Sequence, residues 1–547
     1  MSKLQNNIKE AIQKTIKEVF AYEVSCADIV VEIPKDKSHG DYATNIAMQL
    51  ARNLKQSPQV IAKSLMENLD FVAAGISTYE IAGPGFINLT IEKGALATVI
   101  KKVIKEQDSF GSTKKTDNIK YNVEFVSANP TGNLHPGHAR GAAIGDSVVR
   151  IMRFAGYDVT GEYYINDAGN QISLLGKSLQ ARYFQHFGQD LKVPDAGYRG
   201  QDIVNIAQEL VNEVGDKYLN RPLEESLKDF AEYGLKAGMD KIKATLQAFR
   251  VQHDVFVSER SLYERKMVDL ALEQLQGQGM TYEADGALWL KTTEFGDDKD
   301  RVLIKSDGSY TYITPDIAYH LDKFNRGYDK LINFLGADHH GYVTRLKAGI
   351  CALGKKAEDL DVEIYQMAKM IKDGKEYKMS KRTGEAVSLD DLMQEAGVDA
   401  VRYLFVSKAA DTHMDLDLDL AIRKSNENPV YYVQYAHARM CSILKNVEDF
   451  QEPDNYDLLN DQKEIALMKQ INELPKVVSE AAESLQPHKL CNYLQKLATL
   501  CHSFYNDCKV IVDDKDLQNQ RVALVKAVKI ALKNALSLIG VEAVERM

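Results

Sequence analysis

No run among the 547 residues approaches the roughly 20 consecutive apolar positions a bilayer-spanning helix needs. Residues 1–20 scatter Lys3, Lys9, Lys14 and Lys17 among their apolar positions. That leaves neither the hydrophobic core nor the small-residue cleavage site of a secretory signal. A cytoplasmic protein without a membrane partner is the expectation. Cysteine is scarce: Cys26, Cys351, Cys441, Cys491, Cys501 and Cys508 form no C-x-x-C pair, so they read as free thiols in a reducing compartment. The spacing of Cys501, His502 and Cys508 suits no common structural zinc site, and no metal centre is expected. Excess positive charge is also missing. With 68 Lys and Arg against 78 Asp and Glu, the net charge of −10 argues against indiscriminate nucleic-acid binding. A specific nucleic-acid partner, met by local basic patches, stays open.

What is present is ordinary globular composition, 45% hydrophobic and 27% charged, in a chain too long for one core. Leu4, Ile8, Ile12, Ile16 and Phe20 repeat every four positions and predict an amphipathic first helix. The run 79–89 reads as two strand halves hinged at Gly83-Pro84-Gly85. A small α+β unit over 1–108 follows, with 109–118 as a polar linker. Ile119, Tyr121, Val123 and Phe125 alternate as a strand does. A turn through Asn129-Pro130-Thr131-Gly132, a helix over 136–154 and a strand over 158–165 then give β-α-β. Strand candidates at 330–335 and 362–371 extend this to a Rossmann-type parallel sheet over 119–424, with 166–284 as a mostly helical insertion. From 425 to 547 the pattern is helical. Val430, Val433, His437, Met440 and Leu444 form one stripe, Leu490, Leu494, Leu497 and Cys501 another, and Val522, Val525, Val528, Ile530 and Leu532 a third. The fold class is thus multidomain α/β: a small α+β domain, a Rossmann-type catalytic domain and an all-α bundle.

Two short segments carry the chemistry. His135-Pro136-Gly137-His138 follows a strand and opens a helix, where backbone N–H groups and the helix dipole favour phosphate. Two histidines three apart share one side of that turn and can donate to charge growing on a phosphate. Gly137 leaves room for a flat base against the backbone. Helix-opening histidines with no ligand are the plain alternative. Lys378-Met379-Ser380-Lys381-Arg382 is a basic segment with Gly374 before it and Gly384 after, suited to a mobile loop that meets departing pyrophosphate. A solvated basic surface loop is its plain alternative. Together the pair points to ATP split at its α-phosphate.

The two segments resemble the signatures of class I aminoacyl-tRNA synthetases, and the longer runs resemble the arginyl members. These are Phe125-Val126-Ser127-Ala128-Asn129-Pro130-Thr131-Gly132-Asn133-Leu134-His135-Pro136-Gly137-His138-Ala139-Arg140-Gly141 and Tyr163-Tyr164-Ile165-Asn166-Asp167-Ala168-Gly169-Asn170-Gln171. Gly40-Asp41-Tyr42-Ala43-Thr44-Asn45 and Ala82-Gly83-Pro84-Gly85-Phe86-Ile87-Asn88 are similar to that family's additional N-terminal, tRNA-binding domain. Asp399-Ala400-Val401-Arg402 resembles the D-A-L-R signature of its anticodon-binding domain, with Val for Leu. Asn428-Pro429-Val430-Tyr431-Tyr432-Val433-Gln434-Tyr435-Ala436-His437-Ala438-Arg439 and Glu545-Arg546-Met547 match as well.

The resemblance implies a two-step ligase. Arginine's carboxylate attacks the α-phosphate of ATP, and the arginyl group then passes to a terminal ribose hydroxyl of tRNA(Arg). ATP with Mg2+ is the implied cofactor, and a monomer is expected. Many relatives have lost the lysine at the position of Lys381, which this chain keeps. Catalytic roles fall on His135, His138, Lys378 and Lys381. ATP contacts are expected from Ala128, Asn129, Pro130, Thr131, Gly132, Asn133, Leu134, Pro136 and Gly137, then from Gly336, Asp338, His339, Met370, Met379 and Ser380. Arginine is expected at Glu124, Asn129, Tyr312 and Asp316, because a guanidinium with five donors and a fixed charge calls for carboxylates and hydroxyls. Glu124 as a solvent-facing strand residue and Asp316 as a helix cap are the plain alternatives. Tyr431, Tyr435 and Arg439 step by four and could stack on unpaired bases and pair with phosphate; helix packing explains them equally well. Two other functions fit the same motifs, a nucleotidyltransferase acting on another small acid and a non-catalytic tRNA-binding relative.

Overall fold

A computed structural model describes residues 3–34, 36, 39–115, 117–379 and 386–547. Ser380 and Lys381 lie outside them.

The four-residue spacing at the start forms the helix Lys3–Phe20, which buries Leu4, Ile8, Ile12 and Ile16. It belongs to a unit built on an antiparallel sheet of β1 (Tyr42–Thr44), β2 (Ile76–Ala82) and β3 (Phe86–Ile91), ordered β1-β3-β2. Gly83 and Gly85 take positive φ in the β2–β3 turn, and a side chain on Gly85 would stand 2.7 Å from Pro58. The start of the expected linker is packed against the C-terminal helix Lys515–Leu538. Phe110 is buried, and Asn534 Nδ2 donates to the carbonyls of Gln107 at 2.9 Å and Phe110 at 3.0 Å. One aromatic side chain in a polar run is enough to pin it.

The central sheet has five parallel strands: β4 (Lys120–Glu124), β5 (Asp158–Ile165), β6 (Val255–Ser258), and, after a separate antiparallel sheet of β7 (Thr281–Ala284), β8 (Ala287–Leu290) and β9 (Arg301–Ile304), β10 (Lys330–Gly336) and β11 (Leu360–Tyr365). Its order is β11-β10-β4-β5-β6, with Val123 in register with Gly161 on one side and Ile332 on the other. The chain leaves β4 toward β5 and returns as β10 on the far side. The carboxyl ends of β4 and β10 therefore border the switch point, where doubly wound sheets open a crevice. The helix Pro136–Phe154 follows β4 and lies flush on the sheet through three glycines at four-residue steps. Side chains on them would stand 2.6 Å from Met367, 2.6 Å from Tyr365 and 2.4 Å from Phe125 at Gly137, Gly141 and Gly145 respectively.

Three expectations change. The 166–284 stretch is not one helical insertion: helices Asn170–His186, Gln201–Val214 and Leu223–Ala248 make the excursion, after which β6 rejoins the central sheet beside β5. A strand of only four residues was hidden by the charged helices before it. The run 362–371 is two strands in different sheets, β11 and β12 (Ala368–Lys372), the latter pairing with β13 (Lys375–Glu376) and β14 (Met414–Asp417). The chain breaks at Gln366, whose N–H donates to Ala410 and whose carbonyl accepts from Arg140 Nη1 at 2.6 Å. The β7–β8 hairpin was also unforeseen, although Asp285-Gly286 at its tip, both at positive φ, is the usual two-residue hairpin signal.

The helices Pro429–Lys445, Gln462–Asn472, Leu474–Glu483, His488–Asp507 and Lys515–Leu538 close the chain as a bundle. Val430, Val433, His437 and Met440 are buried there, as are Leu490, Leu494, Leu497 and Cys501. The D-A-V-R segment joins this bundle to the sheet. Arg402, fully buried, donates to Asp146 Oδ2 at 2.6 Å and to the carbonyls of Ile539 at 3.0 Å and Phe249 at 2.9 Å. Asp399 accepts from Gln434 Nε2 at 2.8 Å and pairs with Arg250.

Among the described residues, no helix is long and apolar enough to cross a membrane, and no group of three His, Cys, Asp or Glu side chains could hold a metal ion.

Candidate active site

Beyond Glu124 the backbone turns abruptly: Val126 and Ser127 have φ of 71° and 40°, a region that costs a non-glycine residue about 1–3 kcal/mol. Side chains hold the turn. Ser127 Oγ donates to Glu124 Oε1 at 3.0 Å and accepts from the Tyr164 N–H at 3.1 Å, while Tyr163 Oη donates to the Ala128 carbonyl at 2.7 Å. The turn carries the chain across the sheet edge to His135.

His135 caps the helix Pro136–Phe154, its Nδ1 accepting from the N–H groups of Gly137 at 3.1 Å and His138 at 3.4 Å. His138 Nδ1 accepts in return from the His135 N–H at 3.4 Å, and the two rings stack with centroids 3.7 Å apart. An Nδ1 that accepts has no proton, so each neutral ring carries its proton on Nε2. Burial lowers the pKa of both rings, that of His138 to about 4 with His135 beside it as a lesser cause. At neutral pH the pair therefore offers two uncharged Nε2–H donors held by a reciprocal cap.

They open on a cavity of about 720 Å³ between the ends of β4 and β10. Gly336, Asp338 and His339 line the same side. Acidic and phenolic side chains line the same cavity: Glu124, Tyr164, Asp316 and Tyr342, with Tyr312 at the start of the helix Ile313–Asn325. Asp316 accepts from Tyr342 Oη. Burial pushes its pKa up to about 7, the Tyr342 hydrogen bond opposes that, and the nearby charges of Glu124 and Glu259 add to it. Burial, followed by the charges of Glu259 and Asp316, likewise raises Tyr164, so it stays a neutral phenol. A carboxylate-rich, water-poor wall of this kind matches a planar cation.

Lys378 and Met379 stand in the second segment. Lys378 Nζ is exposed, 3.1 Å from Glu376 Oε2. A Met379–Ala386 bridge and the Val387 N–H donating to the Lys378 carbonyl at 3.2 Å tie the two ends of the basic loop together. Just beyond, the Leu389 N–H donates to the Leu134 carbonyl at 2.7 Å. The chain that follows the basic segment is thereby joined, at Leu389, to the residue before His135.

Of the residues singled out from sequence, His135, His138, Ala128, Asn129, Gly336, Asp338, His339, Glu124, Tyr312 and Asp316 line the cavity. Pro130, Thr131, Gly132, Asn133, Leu134, Pro136 and Gly137 form the strap and helix start behind it, and Lys378 and Met379 stand outside its lining. Met370 is turned away. Its side chain is buried in the core and its carbonyl accepts from the Tyr377 N–H at 2.8 Å; Met367, before the start of β12, lines the cavity instead. Sequence reasoning passed over Tyr164, Tyr342, His320 and Lys323. The last two fall at i+4 and i+7 from Asp316, on one face of the helix, and that spacing was available as a signal.

In the bundle, Tyr431 and Tyr435 stack with centroids 5.9 Å apart, and the Arg439 guanidinium lies 4.4 Å from both the Tyr435 and Tyr505 ring centroids. This is a partly exposed aromatic and cationic ladder rather than a buried seam.

Three family models match in chain order: the arginyl tRNA synthetase N-terminal domain over 4–91, the class I tRNA synthetase (R) catalytic domain over 99–442, and the DALR anticodon binding domain over 433–547. The chain is 52% identical to arginine–tRNA ligase 1 of Halalkalibacterium halodurans, with all of each chain covered. It is 51% identical to the arginine–tRNA ligase of Bacillus subtilis, covering 100% of this chain and 98% of that one. The Thermus thermophilus arginyl-tRNA synthetase structure, at 23% identity, shares the fold with a TM-score of 0.77 over 99% of this chain and 100% of its own. With a catalytic-domain model over most of its length and end-to-end identity above one half, this chain belongs to the arginine–tRNA ligases, the arginyl branch of the class I aminoacyl-tRNA synthetases.

Proposed function

We propose that this arginine–tRNA ligase activates arginine in the cavity between the ends of β4 and β10. An arginine carboxylate oxygen bonds to the α-phosphorus of ATP as the bond to pyrophosphate breaks, leaving arginyl-adenylate. The 3′-terminal ribose hydroxyl of tRNA(Arg) then takes the arginyl group, loses its proton, and AMP departs. His135 and His138 donate through Nε2–H to α-phosphate oxygens, whose charge grows in the transition state. Lys378 and Lys381 meet the departing pyrophosphate. Gly336, Asp338, His339 and the 128–134 strap border the nucleoside. Glu124, Asn129, Tyr312 and Asp316 take arginine's cationic groups, and unpaired carboxylates would disfavour an uncharged analogue. Mg2+ would come bound to the triphosphate and screen its charge. The enzyme acts as a monomer in the cytoplasm, with 1–108 and 425–547 as tRNA-binding units around a catalytic 119–424.

The observation that carries this reading is one cavity lined both by neutral imidazole donors and by a carboxylate pair. A charging assay with all twenty amino acids on bulk tRNA, with and without ribonuclease, tests it. Arginine alone should be charged, and only with intact tRNA. Charging of another amino acid, or none, would overturn it.

Replacing Asp316 with alanine is expected to raise the arginine KM at least about tenfold while moving the ATP KM less than about twofold. Equal weakening of both would contradict the assignment. Asp316 must also lose its proton to face a guanidinium. With its pKa raised to about 7, kcat/KM for arginine should fall about tenfold per pH unit below that value and level off above it. Stability runs the other way: because the folded pKa exceeds the unfolded one, this group's favourable contribution is complete below the unfolded carboxylate value and is lost as pH rises through about 7. For the bundle, Tyr435→Ala should raise the tRNA KM about tenfold, since one base–aromatic stack is worth about 1–3 kcal/mol. An unchanged tRNA KM would leave the ladder a packing feature.

A further inference from the structure

Beneath the acidic half of the cavity lies a hydrogen-bond chain that the reaction itself does not use. His320, Asn333 and Lys323 are 3%, 3% and 0% exposed, so their polar atoms must satisfy one another. His320 Nδ1 lies 2.7 Å from the Asp316 carbonyl oxygen, which can only accept, so the imidazole carries its proton on Nδ1. Its Nε2 is then an acceptor and receives Asn333 Nδ2 at 2.8 Å. That fixes the amide with Oδ1 toward Lys323 Nζ, 3.4 Å away. Lys323 Nζ in turn donates to Glu124 Oε2 at 2.6 Å, and Ser127 Oγ donates to Oε1 at 3.0 Å. Reversing any one donor would set two donors or two acceptors face to face.

We propose that His320, Asn333 and Lys323 are positioning residues for arginine: a relay in which Lys323 donates both toward Asn333 and toward Glu124, tying the Asp316 backbone to the Glu124 carboxylate and holding both at fixed separation. The proposal rests on the reading of Glu124 and Asp316 as arginine ligands. Each Glu124 oxygen has a second lone pair left for substrate after accepting from Lys323 or Ser127. A carboxylate clamped at both oxygens cannot rotate to follow a shorter or differently shaped cation, so the relay converts charge attraction into selection by geometry. The relay requires an uncharged His320. Lys323 on its own helix disfavours a second proton there, while Glu124 from β4 and Glu162 from β5 favour one; burial outweighs them and brings the imidazole pKa down to about 4.

Arginine-dependent ATP–pyrophosphate exchange with tRNA present, run on full-length Glu124→Gln, Asn333→Leu and the double variant, tests the relay. Leucine is close to asparagine in size and removes both amide hydrogen bonds. Asn333→Leu should raise the arginine KM about tenfold and leave the ATP KM within about twofold. In the Glu124→Gln background it should add less than about twofold, because its effect passes through Glu124. Fully multiplicative effects, or an ATP KM that rises in parallel, would overturn the relay and leave the arginine reading standing. If Glu124→Gln by itself leaves the arginine KM unchanged, the ligand reading falls and the relay with it. Should Asn333→Leu not fold, Ser127→Ala takes its place in the same cycle: sub-multiplicative effects support the clamp and multiplicative ones overturn it.

Discussion

His138→Ala is expected to slow arginine-dependent ATP–pyrophosphate exchange by roughly 10²- to 10³-fold, the usual cost of losing one donor aimed at transition-state charge. The ring is suited to that task because its environment removes every other option. Nδ1 is occupied by the His135 N–H, burial lowers the pKa to about 4, and Nε2–H is left as a neutral donor at the cavity wall. A neutral donor gains more from charge that develops during reaction than from charge already present, so the loss should fall on kcat rather than on the ATP KM. His138 is also the third-residue partner in the reciprocal cap whose N-cap is His135, and cap loss costs about 1 kcal/mol. The paired variant His135→Asn separates the roles, because asparagine is a strong N-cap without a ring donor. It should keep the melting temperature of the parent and still lose rate. A His135→Asn enzyme with full activity would reduce the pair to a structural cap.

Arg402→Leu should lower stability by about 3–5 kcal/mol, read as a shift of the urea midpoint, since removing one partner of a buried ion pair also leaves buried acceptors without their donor. Asp146 would retain Arg150, whose Nε is 2.7 Å from Oδ2, but the carbonyls of Ile539 and Phe249 would lose a donor in a site closed to water. A side chain on Gly540 would stand 2.3 Å from the guanidinium, so the C-terminal turn is built tightly around this group. Arg402→Lys keeps the charge but not the fork, and should recover part of the loss. A midpoint within experimental error of the parent would mean that the bundle and the sheet are held together elsewhere.

Elements whose pattern repeats over many residues were legible before the structure. The helix at 136–154 and the strand at 158–165 coincide with Pro136–Phe154 and Asp158–Ile165; proline at the first helical position marks the start of the helix. Short elements were not. β6 offers four residues to the sheet, too few for periodicity to separate from the helices before it, and β11 and β12 read as one strand because the break at Gln366 is made by long-range partners, Ala410 and Arg140. The site divides the same way. Residues inside contiguous motifs, such as His135 and Asp338, could be singled out from sequence and line the cavity; Lys323 could not, because its partner Glu124 is remote in sequence and becomes its neighbour only through the fold. Arg140 shows the reverse: it sits within the first signature, yet its guanidinium is buried against the carbonyls of Gln366, Ala409 and Thr412, a brace for the helix and not a ligand for the cavity.

A crystal structure with a non-hydrolysable arginyl-adenylate analogue, its phosphate replaced by a sulfamoyl group, tests the central claim most directly. The guanidinium should lie between Glu124 and Asp316, and the sulfamoyl oxygens should accept from Nε2 of His135 and His138. A guanidinium bound away from both carboxylates, or a sulfamoyl group beyond reach of both imidazoles, would contradict it.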